Sequence, residues 1–193
     1  MLIKKVILTG LDCSGKTSIL NVLENNKIVD VFNLRPTRGL NIRKLGNGYY
    51  VWDFGGVMIY RERFLINRDM YFPSTRELVY LIDINNSENF SESLDFLCQI
   101  LEIFKKIEAT KELERDFIVF VFLTKSDLVI KNSINICERI NFIKKSLKKL
   151  SLPFGFLIKA ISIFNFKAEV SFDVFGPNIV PYFGNVLINA FSN

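Results

Sequence analysis

Eight residues, Gly10-Leu11-Asp12-Cys13-Ser14-Gly15-Lys16-Thr17, carry the spacing G-x-x-x-x-G-K-[ST] directly after the apolar run from Leu2 to Thr9. Each residue type answers a need of phosphate chemistry. Glycine at positions 10 and 15 permits backbone angles and close approaches that a side chain would block. Successive backbone N–H groups can then turn inward on phosphate oxygens, and the positive end of a helix opening at Gly15 adds to the same field. Lys16 reaches the outer phosphates, and the Thr17 hydroxyl suits an accompanying Mg²⁺. Ser18-Ile19-Leu20-Asn21-Val22-Leu23 follows at helical spacing. The loop thus lies between a strand pattern and a helix pattern, the context this motif requires, and its expected ligand is a nucleoside phosphate. Asp12, Cys13, Ser14, Gly15, Lys16, Thr17 and Ser18 form the expected phosphate-side contacts.

Two later segments make sense together with that loop. Thr37, after Pro36, offers a hydroxyl that can complete a Mg²⁺ shell when a γ-phosphate is present. Asp53, at the end of a strand pattern, can hold the same ion through water, so Thr17, Thr37 and Asp53 are the expected metal set. Gly55-Gly56 lets a backbone N–H, that of Gly56, approach the γ-phosphate. Loss of that phosphate would release both segments, an order–disorder switch. Alone, Thr37 reads as an ordinary loop threonine and Asp53-Phe54-Gly55-Gly56 as a tight turn capping a helix; their joint occurrence after the loop favours the metal and phosphate reading.

A third segment addresses the base. Thr124-Lys125-Ser126-Asp127 follows the most apolar strand pattern, Phe117–Leu123. A carboxylate at Asp127 can accept from guanine N1–H and the exocyclic amine at once, which adenine cannot offer, while the Lys125 stem covers the base plane. An adenine would leave the carboxylate unpaired, so the discrimination is steep. The plain alternative for Asp127 is a loop carboxylate capping the next helix.

These residues need a scaffold that brings strand ends together. After a first helix to about Asn25 and the stretch Ile28–Arg35, strand patterns at Leu40–Leu45 and Tyr49–Trp52 flank Gly46-Asn47-Gly48, a hairpin signal. Val57–Phe72 reads as a helix plus loop with partly exposed apolar side chains. Leu78–Asp83 is a buried-strand pattern, and Ser87 or Asn89 caps a helix bearing Phe90, Leu94, Leu97, Ile100, Leu101 and Phe104. A helix over Ser133–Leu150, a last strand over Pro153–Ile161 and a closing helix over Asn178–Phe191 complete the pattern. The alternation predicts an α/β fold: a doubly wound, mostly parallel six-stranded sheet with one antiparallel edge hairpin strand and helices on both faces. All the chemistry then falls at strand C-terminal ends, where such sheets bind ligands.

Composition narrows the class. One domain over residues 1–193 is the simplest division, and 49% apolar residues including 19 Phe exclude a disordered chain. No apolar run is long enough to span a bilayer. The opening residues read as a strand rather than a signal peptide, position 2 is not glycine, and the final residues form no prenylation box. No direct lipid anchor is expected, and any membrane visit would go through partners. Cys13, Cys98 and Cys137 have no metal spacing and suit a reducing cytoplasm. The net charge of +5 is spread along the chain apart from Lys144, Lys145, Lys148 and Lys149, which share one side of a helix. With no aromatic-interleaved basic motif, nucleic acid is not an expected partner.

The set of motifs resembles the small GTPases of the Ras superfamily over essentially the whole chain, implying a single P-loop NTPase G domain that binds GTP and GDP with Mg²⁺. Gly10–Thr17 is similar to the first guanine-nucleotide motif, Pro36-Thr37 to the switch I threonine, and Asp53–Gly56 to the start of switch II. Thr124–Asp127 is similar to the base-reading motif, with Thr124 where the family usually has Asn. Ser162-Ile163 is the counterpart of the weak final motif, whose backbone contacts the guanine carbonyl. Gly10-Leu11-Asp12, Pro36-Thr37-Arg38-Gly39 and Trp52-Asp53-Phe54-Gly55-Gly56 are similar to Arf-like patterns, while Ser162-Ile163-Phe164 and Tyr80–Asp83 lean toward Rag-type G domains. The Arf N-terminal amphipathic helix and the Rag dimerisation domain are missing, which fits either a minimal relative or an excised G domain.

The resemblance implies a molecular switch and GTP hydrolase whose regulators and effectors read Pro36–Gly39 and Val57–Phe72, with pairing of two G domains as a further partner type. These families place a glutamine after Gly55-Gly56 to orient the attacking water; here it is Val57, which can neither donate nor accept a hydrogen bond. Slow intrinsic hydrolysis follows as the expectation, leaving Lys16 and Gly56 as phosphate stabilisers, with acceleration supplied by an activating protein or by nearby Arg61 or Arg63. The competing readings are a nucleotide-bound scaffold and, further off, a P-loop nucleotide kinase, which would need an acceptor domain and an arginine-rich lid.

Overall fold

A computed structural model describes residues 3–25, 34–45, 48–110, 117–128, 135–163 and 173–175. In chain order the elements are β1 (Lys4–Gly10), α1 (Lys16–Asn25), β2 (Leu40–Lys44), β3 (Tyr49–Phe54), α2 (Met58–Ile66), α3 (Arg68–Tyr71), β4 (Thr75–Asp83), α4 (Phe90–Ala109), β5 (Ile118–Thr124), a 3-10 turn (Ser126–Leu128), α5 (Ile136–Lys149), β6 (Gly155–Ala160) and β7 (Asp173–Phe175). The sheet order is β2-β3-β1-β4-β5-β6-β7. Strands β3, β1, β4, β5 and β6 run parallel, and β2 pairs antiparallel with β3 as the hairpin reading expects. The six expected strands are all present; three-residue β7 adds a second antiparallel edge, beside β6.

Alternation along the strands sorts side chains to two faces, as a period of two requires. Val6, Leu8, Val79, Leu81, Phe120 and Phe122 meet Ile19, Leu20 and Val22 of α1 on one face. On the other, Ile7, Leu78, Tyr80, Val119 and Val121 meet α2, α4 and α5 through Phe64, Leu97, Ile100, Phe104, Ile143 and Leu147. Strands covered on both sides read as continuous apolar runs, which is why β4 and β5 were legible as buried strands. The start of α5 is fixed by Asn135, whose side chain accepts from the Glu138 backbone N–H while its amide donates to the Glu138 carboxylate, a reciprocal cap.

Several boundaries differ from expectation. Strand β3 continues two residues beyond Trp52, because Asp53 pairs with both Leu8 and Asn41, and Phe54 with Leu40. Asp53 therefore sits inside the sheet rather than beyond it. Val57–Phe72 contains two helices, α2 and α3, rather than a helix and loop. Helix α4 is capped by Asn89 without a side-chain hydrogen bond, and α5 begins at Ile136 after its cap Asn135, with Ser133 outside the described residues. The expected closing helix Asn178–Phe191, Gly46-Asn47, Phe164 and most of Ile28–Arg35 lie outside the described residues. Among the described residues, no helix is long and apolar enough to cross a membrane.

Phe54 anchors the strand end that carries Asp53. Its ring stacks on Phe64 at 4.1 Å between centroids and meets Tyr71 and Phe72 edge-on at 5.9 and 6.0 Å. Phe54→Ala opens a cavity under this cluster and should cost about 3–5 kcal/mol, read as a lower urea midpoint.

Candidate functional site

The five parallel strands all end on one edge of the sheet, and the loops after β1, β3, β5 and β6, with Leu34–Thr37, enclose a cavity of about 480 Å³, within the ordinary range for a small-molecule site. Of the expected nucleotide-contact residues, all but Ser14 and Ser162 line it. Those two stand one layer behind: Ser14 accepts through its hydroxyl from Lys16, and the Ser162 hydroxyl donates to the Asp127 carboxylate.

Gly10 makes the loop's first turn possible. Its φ is +144°, and a Cβ there would lie 2.3 Å from the Leu81 carbonyl oxygen on β4. Beyond it the chain returns so that Lys16, buried, donates to the Gly10 and Leu11 carbonyls at 3.0 and 2.5 Å and to Ser14 Oγ at 3.1 Å. Burial lowers the Lys16 ammonium from its ordinary 10.5 to about 8, against the opposing pull of Asp53 and Asp12. A multiply charged anion in the cavity would restore the charged form.

The expected metal residues form a chain. Thr17 Oγ1 and Thr37 Oγ1 are 3.0 Å apart, and the Thr37 hydroxyl donates to Asp53 Oδ2 at 3.0 Å. Asp53 is fully buried, and its Oδ1 has no hydrogen-bond partner among the described residues. Burial pushes this carboxyl above its usual range, while Thr37 and Lys16 hold it back. Two hydroxyls and an undersatisfied carboxylate are hard oxygen donors, the type Mg²⁺ selects. The donor set therefore fits the ion.

Two glycines hold the flanking segments close. Gly55 N–H donates to Gly39 O at 2.7 Å, and a Cβ on Gly55 would lie 2.6 Å from Thr37 O. A Cβ on Gly56 would lie 2.4 Å from the Asp12 nitrogen. Val57 follows, 38% exposed and lining the cavity. The nearby arginines turn elsewhere: Arg61 is buried, pairs with Glu92 at 2.5 Å and lies over the Phe96 ring, and neither it nor Arg63 lines the cavity.

At the opposite end, Thr124 is buried, its hydroxyl 3.0 Å from Ser14 O and 3.2 Å from Ile82 O. One hydroxyl proton thus links the base-side strand to the phosphate loop. Lys125, at φ +59°, is held by an ion pair with Asp83 at 2.6 Å, and the Asn85 amide donates to its carbonyl at 2.7 Å. Asp83 in turn accepts from the Asn85 backbone N–H. Sequence reasoning missed this clamp, although an Asp and an Asn closing a buried strand were a readable signal. It also missed Leu34, Arg35, Leu128 and Ile161 on the cavity wall. The apolar ones carry no motif, whereas Arg35 stands two residues before the singled-out Thr37.

Because Lys16 resists protonation in the folded chain, the unfolded chain binds more protons between pH 8 and 10.5, so stability should rise with pH across that window. Lys5, also lowered by burial to about 8, contributes the same sign. Urea unfolding at pH 8 and pH 10 checks this: Lys16→Met should flatten part of the rise, and Lys5→Met a further part.

Comparison with known proteins agrees with this geometry. The model of the ADP-ribosylation factor family matches residues 3–152. ADP-ribosylation factor-like protein 3 of Chlamydomonas reinhardtii is 33% identical over 128 residues, which is 65% of this chain and 64% of that protein. The solved structure of the Arl6 BBS3 small GTPase from Trypanosoma brucei, with bound nucleotide analogue GppNp, is alike in fold, with a TM-score of 0.58 at 20% identity over 83% of this chain and 87% of that one. A match reaching from β1 through α5, on a sheet whose phosphate loop, buried Asp53 and Asp127 meet at one edge, leaves one conclusion: the chain belongs to the ADP-ribosylation factor family of Arf-like small GTPases in the Ras superfamily.

Proposed function

We propose that the chain is a guanine-nucleotide-dependent molecular switch with slow intrinsic GTP hydrolysis. The observation that carries this reading is the placement of Asp127, oriented by the Ser162 hydroxyl, on the same cavity as the phosphate loop. A carboxylate there can accept from both guanine donors while Lys125, fixed by Asp83, offers its stem to the base. Backbone contact at Ile163 is assigned to the guanine carbonyl side. Thr124 spends its proton within the protein, so its role is to tie the base end to the phosphate end.

At the phosphate end, the N–H groups of Asp12–Ser18 and Lys16 hold the oxygens, and the Gly56 N–H meets the outer phosphate. Thr17, Thr37 and Asp53 would hold Mg²⁺, which when bound neutralises charge on the β- and γ-phosphates. Thr37 leans on Asp53 and Thr17, and Gly55 on Gly39. Switch I and switch II are therefore cross-linked through the groups that the γ-phosphate would engage, and its loss would loosen both. The exposed side chains of Ile42, Met58, Ile59, Ile66 and Met70 lie on and beside the switch helices, and we assign regulators and effectors to this surface and to Pro36–Gly39.

Val57 supplies no group to orient water, and Arg61 is committed to Glu92, so the hydrolytic rate is expected to be low unless a partner contributes. A nucleotide-holding scaffold is the same site with that rate at zero.

The first test is the nucleotide that co-purifies with the chain, read by anion exchange: GTP in excess is expected, and absence of any guanine nucleotide would remove the switch reading. Asp127→Asn should weaken GTP binding by about 100-fold or more and gain xanthine nucleotides, since a buried pair is lost with guanine and restored with xanthine. Unchanged GTP affinity would refute the base assignment. Val57→Gln should raise single-turnover hydrolysis on the order of tenfold to a hundredfold, the scale of a restored water-positioning group.

A further inference from the structure

We propose that Arg35 is a catalytic residue supplied in cis: its guanidinium stabilises the charge that develops on the transferring γ-phosphoryl group and carries most of the residual hydrolysis. This rests on the GTP reading above and adds to it a group that the glutamine-less site otherwise lacks.

Four observations lead there. Arg35 lines the same cavity as Lys16, Thr37, Gly56 and Val57, whereas Arg61 and Arg63 do not. It has neither an ion pair nor a hydrogen bond among the described residues, while Arg43 and Arg61 are both committed to carboxylates. It lies two residues from Thr37, whose hydroxyl is 3.0 Å from both Thr17 and Asp53. Two residues span at most about 7 Å, so the metal and γ-phosphate locus is within reach of a long side chain. Finally, Arg35 is exposed at the cavity and precedes Pro36, which confines its backbone to extended conformations, so the side chain departs from a restricted backbone position.

The chemistry needs nothing else to balance. Water attacks the γ-phosphorus, the bond from that phosphorus to the β–γ bridging oxygen breaks, and GDP and inorganic phosphate leave with the water's proton. A planar guanidinium is unchanged by the cycle. It can donate two parallel hydrogen bonds to phosphoryl oxygens and meets the charge where it grows. The Val57 side chain cannot compete for that place, because it has no polar atom.

The test compares wild type and Arg35→Ala in three measurements: GTP dissociation, single-turnover hydrolysis, and formation of the complex of GDP with aluminium fluoride, which mimics the transferring group. Each is repeated with Val57→Gln, which lifts the rate so that a fall can be read. Arg35→Ala should slow hydrolysis about tenfold or more and abolish the fluoride complex, with GTP dissociation within about twofold of wild type. Hydrolysis equal to wild type in both backgrounds would overturn the proposal, as would a loss matched by faster GTP release, which would make Arg35 a binding group only. Wild type that binds no GTP would instead sink the nucleotide reading and this proposal with it, an outcome separable from the first two by the binding measurement alone.

Discussion

Parallel pairing is the constraint on which the rest of this structure depends. Strands β3, β1, β4, β5 and β6 point the same way, so every crossover leaves from one edge and five loops must converge there. The phosphate loop leaves β1, the Gly55-Gly56 turn leaves β3, the Asp83–Asn85 clamp closes β4, and Thr124–Asp127 leaves β5. Residues more than 100 positions apart become neighbours for that reason, as when Thr124 reaches Ser14.

The edge so formed is polar where the sheet beneath it is apolar, and this sets an electrostatic tension. Lys16 and Asp53 are both buried, each pushed toward its neutral form by desolvation and each partly held by the other's charge. Buried polar groups cost stability unless satisfied, and one Asp53 oxygen has no partner among the described residues. A ligand that brings anionic oxygens to Lys16 and a hard cation to Asp53 relieves both at once. On the proposed reading, affinity for a metal–nucleotide complex draws on the desolvation of both groups.

Departures from the family pattern fall on separable functions. Val57 removes a water-orienting group without touching the phosphate contacts. Thr124 keeps a link between base end and phosphate loop through one hydroxyl, and Asp83 fixes Lys125 by charge. On the proposed reading, the binding groups are kept while one hydrolytic group is replaced, which is what a switch governed by partners, or by its own Arg35, would require.

By itself the sequence determined the local chemistry. Gly10–Thr17 admits few readings because glycine spacing, lysine and hydroxyl are each needed for a phosphate cradle, and the apolar runs of β4 and β5 could only be strands buried on both faces. The hairpin of β2 and β3 followed from the turn residues between them. Tertiary structure decided what depends on distance through space. It drew Asp53 into the sheet, since pairing with both Leu8 and Asn41 outweighs the usual preference of aspartate for strand ends. It committed Arg61 to Glu92 and the Phe96 ring of α4, and it placed Arg35, in the segment before β2, on the cavity. Spacing along a chain can name a group's chemistry, but its partner depends on which elements the core holds together.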